Sequence, residues 1–157
     1  MINTNKHMNA PFKQFFVSGL DKLSEEISKF NSEEELWKVS GDVLNCSGNL
    51  ALHLIGNTKF FIGAQLGCTG YVRDRDKEFS EKNVPKEKLI AMIAESKAIV
   101  EKTFDELEDE KLKETYPLDY FNGPKSTFTV LLILISHFQY HLGQINYLRR
   151  IVSVNKK

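Results

Sequence analysis

Residues 126–152, STFTVLLILISHFQYHLGQINYLRRIV, constrain this chain more than any other stretch. The run is too long and too steadily apolar for a strand, so length assigns it to one helix. It carries two histidines, His137 and His141, four residues apart. Four residues is about one helical turn, so both imidazoles leave the same face. Val130, Ile133, His137, His141, Gln144 and Leu148 form one stripe, which the periodicity predicts to face the core. Histidines there need partners, because each buried imidazole has two ring nitrogens to satisfy.

Three more long helices are expected. Phe12, Phe16, Leu20, Leu23, Ile27 and Phe30 recur at three- and four-residue steps, and Pro11 suits a first helical turn. Ser32 and Glu35 have the spacing of a capping box before a short helix with Leu36, Trp37 and Val39. Trp37 is expected as a core anchor. A second long helix is predicted over 43–67, although Gly48, Gly56 and Gly63 each cost about 1 kcal/mol in a helix. Asn49, His53, Gly56, Phe60, Gly63 and Gly67 share one of its faces, which aims His53 inward. The glycines there are read as packing positions. A third long helix is predicted over 86–108 on Leu89, Ile93, Val100, Phe104 and Leu107. Ser126 is the expected N-cap of the last.

Between the second and third, Gly70, mixed charges and Pro85 predict a loop. The run Arg73, Asp74, Arg75, Asp76 could be an ordered ion-pair cluster at a site mouth, but is read as solvated, since exposed pairs contribute about 0–1 kcal/mol. The segment 113–125, with Pro117, Gly123 and Pro124, is also a predicted loop, with a short extended piece at 113–116. No repeat or linker breaks the chain, so residues 1–157 are read as one all-α domain, a four-helix bundle.

The 157 residues carry 21 basic and 21 acidic side chains. This balance offers no basic surplus for nucleic acid. Arg149, Arg150, Lys156 and Lys157 read as a solvated helix end. Residues before Asn9 read as a loose leader without a signal segment, and His7 is given no role. The apolar run at 130–135 is far too short to span a bilayer. Two cysteines, Cys46 and Cys68, suggest no disulfide framework. The reading is a cytoplasmic protein with no membrane or nucleic-acid partner.

The chemistry rests on three histidines. His53, His137 and His141 lie on inward faces of two helices, and catalytic zinc-type sites take three protein ligands with one position open. Histidines satisfied by hydrogen bonds alone are the competing reading. Phe138 stands where a zinc protease needs glutamate, and no Glu-x-x-His, Walker A or dinucleotide motif occurs. Cys46 lies about 10 Å before His53 along a helix, too far to share its ion. Asn49 and Gln144 are placed either to hydrogen-bond the ligands or, equally, to bond between helices.

The segments NLALHLIGN (49–57), LGCTGYVRDRDKEF (66–79) and SHFQYHLGQINYLRR (136–150) resemble the DinB/YfiT-like metalloenzymes. The resemblance covers almost the whole chain and comes closest to an uncharacterised bacterial branch. It implies a four-helix bundle and three histidines, here His53, His137 and His141, binding nickel or zinc. Some relatives transfer a low-molecular-weight thiol, so it further implies a thiol cosubstrate, a small-molecule electrophile and a homodimer. Hydrolysis by a metal-bound water, or a non-catalytic module braced by its histidines, are the alternatives. No general base is assigned; Tyr140, Asn49 and Gln144 are near by wheel position alone.

Overall fold

The computed structural model describes residues 8–153; His7, the leader before it and Lys156–Lys157 lie outside them. The described residues are all-α, with one isolated antiparallel bridge between Thr115 and Ser126. That bridge falls beside the extended piece expected at 113–116. The elements are α1 (Ala10–Ser28), α2 (Glu33–Trp37), α3 (Ser47–Thr58), α4 (Gln65–Gly67), α5 (Arg75–Ser80), α6 (Lys86–Glu106) and α7 (Thr127–Ser153). A π-helical stretch, Lys59–Ala64, joins α3 to α4 in one continuous rod.

Four rods make the bundle. α1 packs between α6 and α7, and α3 lies between the same two. Each rod buries one apolar stripe. Phe12, Phe16, Leu20, Leu23 and Ile27 of α1, with Phe30 beyond its end, meet Leu89, Ile93, Val100 and Phe104 of α6 in a single core. Leu107 sits past the end of α6 and is half-buried.

Several local expectations change. The second long helix begins at Ser47 rather than residue 43, because Cys46 is extended (φ −80°, ψ 165°). The capping box does not form: Ser32 makes no side-chain cap bond, and Glu35 accepts from Asn31 and from Ser153 on α7 instead. Trp37 is half-buried, its ring lying where a side chain at Gly48 would be, 2.7 Å from an added Cβ. Arg149 is not solvated: its Nε donates to Glu26 at 2.7 Å and ties α7 to α1. Ser126 does cap α7, its Oγ accepting from the Thr129 N–H at 3.2 Å.

α7 matches the helix expected over 126–152, and its apolar window runs well beyond residues 130–135. By length and composition it could cross a membrane, and 33% of its most apolar window is buried. Its fully buried line is Val130, Leu134, Phe138, Ile145 and Leu148, while Ile133, His137, His141 and Gln144 are half-buried beside it. The predicted stripe is thus split, Val130 and Leu148 lying on the core line and Ile133, His137, His141 and Gln144 flanking it. This offset brings the imidazoles to the seam between α7 and α3.

Candidate metal centre

α3 supplies His53 and α7 supplies His137 and His141. The three rings meet at the α3–α7 seam, with centroids 5.0 Å apart for His53–His137 and His53–His141, and 4.5 Å for His137–His141. One ligand-capable nitrogen from each lies within 4.8 Å of the others. His53 is 5% exposed, whereas the α7 pair is half-buried.

The hydrogen bonds fix which nitrogens face the centre. Glu78 Oε2 lies 2.8 Å from His53 Nδ1. Burial pushes the Glu78 pKa up, but hydrogen bonds from His53 and Arg73 outweigh it and hold the carboxyl below its usual range. An ionised carboxylate only accepts, so the His53 proton sits on Nδ1 and the Nε2 lone pair points inward. His141 Nδ1 donates to Gln144 Oε1 at 2.7 Å, which likewise leaves its Nε2 as a lone pair. His137 Nε2 lies 3.1 Å from His53 Nε2, and its Nδ1 is buried without a partner.

Two ring nitrogens thus present lone pairs, and His137 can offer at most one proton between them. The cluster holds more acceptors than donors, and a cation suits it. His53 Nε2 and His137 Nε2, 3.1 Å apart, are close enough for one ion to bridge at Zn–N lengths of about 2.0–2.1 Å, and His141 would complete the set. Burial, then the neighbouring His141 and His53, pushes His137 down to about 4. Burial and His53 also lower His141. Both rings are therefore neutral near pH 7, the form that binds metal.

Expectation and structure part company beyond the three rings. Gln144 does orient His141. Asn49 does not touch a ring: its Nδ2 donates to the carbonyls of Glu78 and Glu81, at 2.9 and 2.8 Å, and pins α5 onto α3. Its Oδ1 receives Lys82 Nζ and the Cys46 thiol. Tyr140 is 63% exposed, stacked edge-on to His141. The run at 73–76 is structured rather than solvated. Asp74 caps α5 by accepting from Lys77 N–H, and Arg75 lies over the Phe79 ring. Arg73, its side chain 8% exposed, gives Glu78 two bonds of 2.7 and 2.8 Å. Gly56 is more than a packing position, because a Cβ there would strike the Glu78 carboxylate.

Sequence reasoning missed Glu78 altogether. Its one signal was the Asp74 cap spacing, which starts a helical turn and swings Glu78 back towards α3. Outside the seam, a shallow depression of about 600 Å³ is lined by Leu132, Ile133, Ser136, His137 and Tyr140. It gives the centre an apolar approach from solvent along α7.

The all-α bundle that brings the three imidazoles together has the fold of solved structures, one of them a DinB-like protein. A DinB-like protein from Bacillus cereus ATCC 10987 superposes with a TM-score of 0.71 at 19% identity, covering 92% of each chain. A conserved protein from Enterococcus faecalis gives 0.73 at 15% identity, covering 94% of this chain and 98% of that one. No curated protein matches the sequence. The chain belongs to the family described as "Protein of unknown function (DUF1572)", whose model matches residues 4–156.

Proposed function

We propose that the protein is a metal-dependent enzyme in which His53, His137 and His141 hold one divalent ion, nickel or zinc. The supporting observation is the excess of inward lone pairs, with the outer nitrogens of His53 and His141 already committed to Glu78 and Gln144. A divalent ion lowers the pKa of a coordinated thiol or water and yields a nucleophile near neutral pH. The reaction that fits is transfer of a low-molecular-weight thiol to a small electrophile. Leu132, Ile133 and Tyr140 beside His137 suit the apolar body of such a substrate.

Turnover of an electrophilic dye tests this, with and without added thiols, before and after chelation. Thiol-dependent turnover abolished by metal removal is the expected result. Turnover without thiol would mean a metal-dependent hydrolase, and activity indifferent to chelation would reject the metal reading. A purely bracing metal fits less well, because structural zinc sites are closed by four ligands, and here His137 lines an open depression.

The same reading places the protein in the cytoplasm, where its two unpaired cysteines stay reduced. It also makes it a homodimer joined along α7. Residues 127–148 carry no charged side chain. The exposed contact residues are Tyr147 and Ile151 at the C-terminal end of α7, clear of the depression beside His137. Sedimentation should give twice the 18.0 kDa chain mass, and Tyr147→Glu should halve it.

A further inference from the structure

We propose that Glu78 is the positioning residue for His53, clamped by Arg73 and admitted by Gly56. The inference rests on the metal reading above and names what holds its most buried ligand in place. Gly56 lies three residues after His53, on the same face of α3. The absent side chain at Gly56 leaves the space through which the carboxylate reaches the imidazole. An added Cβ would lie 2.8 Å from Glu78 Cδ and closer still to Oε1.

From that position Glu78 makes three bonds. Oε2 takes the His53 Nδ1 proton at 2.8 Å and an Arg73 N–H at 2.8 Å, and Oε1 takes Arg73 Nε at 2.7 Å. The guanidinium also passes 3.3 Å from His53 Nδ1. Both are donors, so the carboxylate between them is their shared acceptor. Asn49 fixes the backbone from below through the carbonyls of Glu78 and Glu81. The carboxylate can therefore neither rotate nor withdraw, and His53 is held as the Nδ1–H tautomer with Nε2 facing the other two rings. Partners of this kind set ring orientation and ligand basicity, and losing one typically costs 10–100-fold in metal affinity.

The test separates this role from general support of the fold. Nickel affinity is measured by chelator competition for the wild type, Gly56→Ala, Glu78→Ala, Glu78→Gln and the Gly56→Ala/Glu78→Ala double variant. Gly56→Ala keeps every ligand and every charge, so a packing role predicts unchanged affinity. The positioning role predicts about 10–100-fold weaker binding. Glu78→Ala should lose as much, and the double variant no more than Glu78→Ala alone. Glu78→Gln, which keeps an acceptor for Nδ1–H, should recover part of the loss.

Nitrogen-15 NMR of the metal-free protein gives a second readout. His53 should be the Nδ1–H tautomer in the wild type and a tautomer mixture in Gly56→Ala and Glu78→Ala. Glu78→Ala binding nickel within twofold of wild type would overturn the inference, as would an Nε2–H tautomer at His53 in the wild type. If the wild type takes up no nickel, the metal reading fails while the tautomer still judges Glu78. If Glu78→Ala does not fold, Gly56→Ala and the wild-type tautomer decide.

Discussion

His137 presents Nε2 to His53, and its Nδ1 is buried without a partner. Its replacement by alanine should abolish stoichiometric nickel or zinc binding, because two histidines and no fourth protein ligand remain. Equilibrium dialysis followed by metal analysis checks this, and a variant retaining one full equivalent would exclude His137 as a ligand. The pH dependence follows from the same burial. Protonation of ordinary imidazoles would release metal below about pH 6. With His137 pushed down to about 4 and His141 also lowered, protons compete less well. The release midpoint should therefore fall below pH 6, as read by metal retention across a pH series. The histidines were legible in the sequence because helical spacing alone aims them. Glu78 and Arg73 were not, since a buried ion pair has no periodicity and looks like any other charge in a polar run. Only the fold shows that water is excluded from it.

At the level of the elements, the four rods were legible from their apolar stripes, and their ends were not. Cys46 stops α3 four residues later than the apolar pattern suggests, since Val43 and Leu44 continue the pattern while standing exposed. The inward face of α7 was misjudged by a fraction of a turn. Residues 127–148 carry no charged side chain to mark an outer face, so helical spacing alone groups the histidines with the core line beside them. The joint between α1 and α7 was hidden as well, in Arg149 and Glu26. Burial raises the Glu26 pKa, but bonds from Arg149, Asn146 and Lys29 outweigh it, so the folded value lies below the ordinary one. A carboxylate with a depressed folded pKa stabilises the protein above its unfolded pKa. That stabilisation is lost as pH falls through the folded value. Glu26→Gln should thus cost about 2 kcal/mol at pH 7 in urea unfolding, in the range of charge-assisted hydrogen bonds. The cost should shrink as the pH is taken down through the acid range. A constant difference at all pH values would contradict the pairing.

For the whole molecule, an ion held between α3 and α7 as proposed would bind the folded state and not the open chain. At a free concentration of about 100 Kd this stabilises by about 2.7 kcal/mol, or roughly 5–10 °C in a domain of this size. Calorimetry with and without nickel should show the rise in wild type and none in His137→Ala. The order of the three imidazoles along the chain has a consequence for synthesis. His53 lies 84 positions before His137, so a chain leaving the ribosome exposes one third of the set long before the rest exists. Any product interrupted ahead of α7 carries only one of the three clustered imidazoles and cannot assemble the set. Acquisition of the ion then reports that translation has run through the last helix and that its two distant parts have met.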